Sequence, residues 1–293
     1  MKFGIPVSMV ELDYYAPMAQ AAEAAGFDTI LLADSICYPQ ESDSTYPYNA
    51  DGTREFLENK PFPETMIAMA AMGAVTERIH FAPFVLKMPI RHPVILAKQA
   101  TALAVMTGNR IELGVGTSPW PDDYQVVGLP WEGRGKRFEE CIEIVRGLAT
   151  GGYYEFHGKF YDFPPIKLNP TPTEAIPILI GGHGDINIGR TGRMADGWMS
   201  AKFLTDEQLT EVITRLHDLR RQHGRTGPFS IYATSMHSFS ADGIRRLEDM
   251  GVTHTMGGLS RFNPYGAEAD NETLQDKVDA INRYADEVIQ KVS

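Results

Sequence analysis

Cysteine is scarce: Cys37 and Cys141 are the two present in 293 residues. That excludes a disulfide framework and reads as two reduced thiols. Positive charge is also short, with 27 Lys and Arg against 38 Asp and Glu and a formal net charge of -11. Such a chain is a poor match for a phosphate backbone, so no nucleic-acid partner is expected and an anionic ligand needs a local basic pocket. Long apolar runs are missing. The longest, Met66 to Val75, is too short to cross a bilayer and lies between Pro63 and Arg78, so no membrane association is expected. The opening MKFGIPV enters a strand-like run at once, without a signal-peptide layout, and a soluble cytoplasmic protein is expected. HExxH, HxH and CxxC are absent and the eight histidines are scattered, so no catalytic metal is expected.

What is present is enough apolar material, 43% of residues, for a sizeable core. One pattern recurs: AAGFDTILLAD, MTGNRIELGVG, RMADGWMSA and EDMGVTHTMGG each run from a helical stretch through glycine into a short buried strand. Gly26, Gly108, Gly197 and Gly251 fit the left-handed position that ends a helix. Eight strands are predicted, at Phe3–Val7, Thr29–Ala33, Ile79–Leu86, Arg110–Val115, Ile176–Ile180, Gly197–Ser200, Phe229–Thr234 and Thr253–Met256. Helices lie between them, with apolar stripes such as Phe138, Cys141, Ile142, Val145 and Leu148. Thr205-Asp-Glu-Gln208 reads as a capping box. Interleaving of this kind in a chain near the usual size of about 250 residues predicts a single (β/α)8 barrel domain over residues 1–293, with insertions after strand 2 and between strands 4 and 5. The segments 35–62, 151–175 and 261–270 are too long to be plain connections and read as binding loops or arms.

A barrel keeps its chemistry at the C-terminal ends of its strands. Here those ends carry glycines and hydroxyls, with no close carboxylate pair, which suits a flat cofactor that brings its own reactivity. Gly181-Gly182-His183-Gly184 follows IPILI and precedes a helix, and reads equally as a phosphate-binding loop or a tight turn. Arg91-His-Pro93 and Arg134-Gly-Lys-Arg137 open helices on the same face, as start signals or as anion contacts. Gly114-Val-Gly116 lacks the third glycine of a dinucleotide loop, and reads instead as a strand kept slim beneath a ring.

The segment RHPVILAKQATALAVMTGNRIELGVGTSPW resembles the core signature of the luciferase-like flavin and deazaflavin oxidoreductases. AAEAAGFDTILLAD, FHGKFYDF and IPILIGG…GRMADGW resemble further elements of that family, and the likeness runs to about residue 202. YPYNADG and PFPETMIAMAAM look most like its deazaflavin (coenzyme F420) branch. The resemblance implies a TIM barrel, commonly a homodimer, that carries a hydride between the ring and a small-molecule substrate. It also implies a non-proline cis peptide near Phe84-Val85. By position, Phe84, Val85, Leu86, Gly116 and Thr117 would back the ring, and Gly181, Gly182, His183 and Ser200 would hold the phosphate. Arg91 or Arg137 would meet the oligoglutamate tail. Asp34 and Ser35 would bond the ring's polar edge, with Tyr38 or Lys87 as proton donor, and Tyr46, Tyr48 and Trp120 would form an apolar substrate wall. Two departures stand out. Asp34-Ser35 replaces the Asp-His of many relatives, and Pro119-Trp120 stands where a deazaflavin-dependent sugar-phosphate dehydrogenase carries glutamate. The alternatives are an FMN-dependent monooxygenase and a non-catalytic barrel that binds a flavin-like ligand.

Overall fold

Ile178 and Ile180 turn outward to the helices while Leu179 between them turns inward, and this alternation builds the molecule. It repeats in Ile30, Leu31 and Leu32, and again in Ile231 and Tyr232. The inward residues Leu31, Ala82, Leu179, Met199, Tyr232 and Met256 fill the barrel interior. The outward ones join the larger core beneath the helices. A computed structural model describes residues 1–45, 52, 54–200, 202–257 and 272–292. Tyr46, Tyr48 and the 261–270 loop lie outside the described residues.

The strands are β1 (Lys2–Pro6), β2 (Thr29–Leu32), β3 (His80–Pro83), β4 (Leu86–Lys87), β5 (Leu113–Gly116), β6 (Tyr154–His157), β7 (Asp162–Ile166), β8 (Ile178–Gly181), β9 (Gly197–Met199), β10 (Ser230–Ala233) and β11 (His254–Met256). All but β6 and β7 form one parallel sheet in the order β3-β2-β1-β11-β10-β9-β8-β5-β4. The ring closes where Phe81 N donates to Arg110 O and Glu112 N donates to Phe81 O, each at 2.9 Å. β3 and β4 are thus two parts of the third barrel strand, parted by a cis peptide at Phe84-Val85. The fold is a (β/α)8 barrel with flanking helices, as the strand spacing predicts.

The helices used below are α1 (Tyr15–Ala24), α2 (Thr65–Gly73), α3 (Pro93–Met106), α4 (Pro121–Val126), α5 (Arg134–Ala149), α6 (Asp185–Met194), α7 (Asp206–Gln222), α8 (Ala241–Asp249) and α9 (Leu274–Tyr284). The α5 stripe from Phe138 to Leu148 is buried, and the Thr205–Gln208 capping box opens α7. Gly26, Gly108 and Gly251 take positive φ, as a helix-ending turn requires. Gly197 does not. It lies within β9, where an added Cβ would come 2.6 Å from the Ser230 carbonyl, so it is needed for a close strand approach. The 151–175 insertion carries the β6–β7 antiparallel hairpin.

Candidate functional site

At the C-terminal end of β2 the Asp34 carboxylate is wholly enclosed by protein donors. Arg91 grips it with two bonds, Nη1 to Oδ2 at 2.9 Å and Nη2 to Oδ1 at 2.7 Å. Thr65 Oγ1 (3.1 Å) and the Lys87 amide (2.8 Å) complete the set. The sequence reading placed Asp34 on a ring edge and Arg91 on an anionic tail. The structure instead joins the two to each other, tying β2, β4 and the approach to α3 together. Ser35 bonds the Cys37 carbonyl at 3.4 Å. Burial and the Asp123 charge raise the pKa of the half-buried Cys37 thiol, which disfavours a thiolate there.

Lys87 ends β4, and its side chain is covered. Its ammonium meets both Asp123 oxygens, at 2.9 and 3.1 Å, and lies 4.6 Å from the centre of the Trp120 ring. Asp123 also accepts from Ser118 Oγ at 2.5 Å, and Ser118, at φ 63°, in turn accepts from the Trp120 amide at 3.0 Å. Lys87, Asp123 and Ser118 thus form one connected polar group at the barrel mouth. Tyr124 donates to the Thr117 carbonyl, fixing the turn above β5. Trp120 was expected as an apolar wall. It is 6% exposed and has Lys87 and Arg54 as its cationic neighbours.

The glycines of β5 and β8 make room for other parts of the protein. A Cβ at Gly114 would lie 2.0 Å from the Pro83 carbonyl oxygen, and one at Gly116 or Gly181 would lie 2.8 Å from a Val85 methyl. The slim strand expected beneath a ring is therefore filled first by Val85 and the β3–β4 break. Phe84 and Val85 remain half-buried above the barrel interior, while Leu86 packs outward under the helices.

Beyond β8, Gly182 takes φ 118° and its amide donates to the Met199 carbonyl at 3.4 Å. Trp198 Nε1 donates to the Gly182 carbonyl at 2.9 Å. Gly184 caps α6 without any side-chain acceptor, so the helix N-terminus is bare. His183 stands edge-on to Trp198 and 3.4 Å from Ser200 Oγ. Burial, helped by Lys202, lowers its pKa to about 4, so it is neutral at pH 7. Gly181, Gly182, His183 and Ser200 thus come together as the sequence indicated. Lys202, exposed beside them, was missed because nothing in GWMSAKF marks it. Arg137 is elsewhere engaged, donating to the Pro130 carbonyl at 3.1 Å under the Phe160 ring (4.5 Å).

Among the described residues no cluster of His, Cys, Asp and Glu could hold a metal ion, and no helix is long and apolar enough to cross a membrane.

The chain is thus a parallel (β/α)8 barrel with a glycine-capped helix start after β8 and a covered lysine at its mouth. The chain belongs to the luciferase-like monooxygenase family, whose model matches residues 2–290. It is 52% identical to the uncharacterized protein Rv0940c of Mycobacterium tuberculosis over 292 residues, 100% of each chain. It is 28% identical over 240 residues to an F420-dependent glucose-6-phosphate dehydrogenase of Nakamurella multipartita, covering 80% of this chain and 66% of that one. In fold it is similar to the monooxygenase RslO1 from Streptomyces bottropensis (TM-score 0.77, 15% identity, 100% of each chain). The F420-dependent tetrahydromethanopterin reductase of Methanopyrus kandleri gives a TM-score of 0.74 at 15% identity, with 100% of this chain and 99% of that one covered.

Proposed function

We propose that this protein is a cytoplasmic deazaflavin-dependent oxidoreductase that moves a hydride between coenzyme F420 and a small organic substrate at the barrel mouth. The observation that carries the reading is the clustering of the Val85 wall, the bare α6 N-terminus with His183 and Ser200, and Lys87 around one set of strand ends. The likeness to an F420-dependent dehydrogenase supports it. When bound there, a deazaflavin supplies a carbon that gives or accepts a hydride.

The chain's own part is to fix the surroundings. The glycine-capped end of α6 suits a phosphate, because its first N–H groups have no side-chain acceptor. Neutral His183 adds no positive charge, and exposed Lys202, whose charge reaches His183, is available to an anionic tail. Val85 and Phe84 offer an apolar face. Lys87, held in place by Asp123, is the group that offers a proton to a substrate oxygen, and Tyr38 lines the same side across Arg54.

One observation favours a second reading, an FMN-dependent monooxygenase. Arg91 and Arg137, the arginines expected on an oligoglutamate tail, both have partners inside the chain, and FMN ends at its phosphate. Titrating the purified protein with F420 and with FMN, followed by absorbance and fluorescence, decides between them. Micromolar or tighter F420 binding with weaker FMN binding is expected. FMN binding alone overturns the deazaflavin reading, and binding of neither overturns both.

The same reading includes a homodimer. Ile67 on α2 and Ile95, Val105 and Met106 on the adjoining α3 are exposed, an apolar face suited to a second copy. Light scattering on the eluting protein should give twice the chain mass, and Met106→Asp should shift it toward the monomer.

A further inference from the structure

Arg54 follows β2 on the long insertion and is a buried cation that the described residues bond sparsely. Its side chain is 8% exposed. Its guanidinium lies 5.2 Å from the Trp120 ring centre and 5.6 Å from that of Tyr38. Of its five N–H groups, Nη1 alone makes a hydrogen bond to a described residue, a long 3.5 Å contact with Asp122 Oδ2. That oxygen is already shared, accepting from Ser42 Oγ at 2.8 Å and Ser44 Oγ at 2.7 Å. Burial works to raise the Asp122 pKa, yet the two serine hydroxyls and Arg54 bring it below the ordinary value.

The same chain shows what a structural arginine looks like. Arg110, also buried, donates to the Thr107, Ile79, Gly73 and Thr76 carbonyls and to Thr76 Oγ1, all between 2.7 and 3.0 Å. Arg91 has three bonds, two of them to Asp34. Arg137 is bonded as sparsely as Arg54, but its ring neighbour is Phe160 on the hairpin arm, not a residue of the strand ends. None of the Arg54 nitrogens is sealed from solvent without a partner, so its unbonded N–H groups stay open to an acceptor that a ligand brings. Two aromatic rings beside the cation favour a flat partner.

The charges around it narrow the choice. Lys87, which shares the Trp120 ring with Arg54, is answered in full by Asp123. Among the described residues, the Arg54 guanidinium pairs with the distant edge of Asp122, while the Glu55 carboxylate accepts from the Arg54 amide at 2.9 Å. Arg54 and Asp122 offset each other in charge, so a monoanion at the open edge of the guanidinium meets less repulsion from Asp122 than a phosphate dianion would.

We infer that Arg54 is the substrate anchor, pairing with the carboxylate of a monoanionic organic acid whose apolar body lies along Trp120 and Tyr38. This deepens the proposed function by naming its substrate class, and it rests on the barrel mouth being the substrate site. Arg54 acts in binding and takes no part in the hydride step.

The test uses benzoate, benzamide and inorganic phosphate as probes, titrated calorimetrically into the full-length protein, both as purified and saturated with whichever cofactor it binds. Benzoate should bind saturably and at least tenfold tighter than benzamide or phosphate. Arg54→Gln should erase the preference for benzoate over benzamide, and Arg54→Lys should retain part of it, with cofactor affinity unchanged in both. The wild-type comparison of benzoate with benzamide needs no variant, so misfolding of either substitution leaves the inference testable. Equal binding of benzoate and benzamide, tighter binding of phosphate, no binding of any probe, or an Arg54→Gln protein with the wild-type preference each overturns it. Failure of both cofactors to bind would overturn the proposed function separately, since the titration of the protein as purified still reads Arg54.

Discussion

Val85 rests against Gly181: a Cβ built on that glycine would lie 2.8 Å from Val85 Cγ1, and one on Gly116, in the strand alongside, would meet Cγ2 at the same distance. The glycines therefore set where the Val85 wall stands. Neither has a positive φ, so alanine tests space alone. Gly181→Ala should cost about 1–3 kcal/mol of stability by overpacking and weaken cofactor binding at least tenfold. Val85→Ala in the same chain should restore much of both. Urea denaturation and cofactor titration of the two single variants and the double variant check this, and strictly additive effects would show that the two residues are not coupled.

The Asp34–Arg91 pair gives a contrasting expectation. The Asp34 side chain is 1% exposed and that of Arg91 15%, with two hydrogen bonds between them. Arg91→Met leaves a buried carboxylate with only Thr65 and one amide, and should cost about 3–5 kcal/mol of stability. If the pair is structural, F420 affinity in this variant will not depend on the number of glutamates in the cofactor tail. A tail-length dependence present in the parent and lost in Arg91→Met would return Arg91 to the tail site.

These pairs show what could be read in advance. Alternation such as Ile178–Leu179–Ile180 and the positive-φ turns at Gly26, Gly108 and Gly251 are local, so the barrel and its strand ends were legible in the sequence. Ion pairs are not local. Arg91 and Asp34 are 57 residues apart, Lys87 and Asp123 are 36 apart, and no periodicity says which acid a buried cation will find. Gly116 signalled a close approach correctly but could not say what approaches, and the answer is a valine from another strand. Arg54 carries no motif at all. Its interest comes from being covered by Tyr38 and Trp120, which only the folded chain reveals.

The floor of the barrel predicts an opposed pair of pH effects. Burial raises the pKa of Glu112, against a 3.0 Å bond from Tyr232 Oη and the charge of Lys2. Its folded form therefore binds more protons than the unfolded chain above the ordinary carboxyl range, and stability falls as pH rises from there through the raised value. His254, stacked on Tyr232 at 4.0 Å, has its pKa lowered by burial to about 3 from 6.5. There the unfolded chain binds more protons, so stability rises with pH between about 3 and 6.5, by at most about 1.4 kcal/mol per pH unit. In urea midpoints taken across pH 4–8, Glu112→Gln should remove the falling component and His254→Phe the rising one. If Glu112→Gln leaves the profile unaltered, the carboxyl group titrates alike in both states.

Lys87 and Asp123 should behave as one unit. Asp123 is 1% exposed, so Lys87→Met leaves a covered carboxylate whose remaining side-chain partner is Ser118. Lys87→Met should destabilise by about 3–5 kcal/mol, and adding Asp123→Asn should recover a large part, because the second change removes the stranded charge. Activity should not recover with stability. If the Lys87 ammonium holds the proton for the substrate oxygen, hydride transfer in stopped-flow will drop by about 10²–10⁴-fold in Lys87→Met and stay low in the double variant. A double variant that regains both stability and rate would assign Lys87 to packing alone.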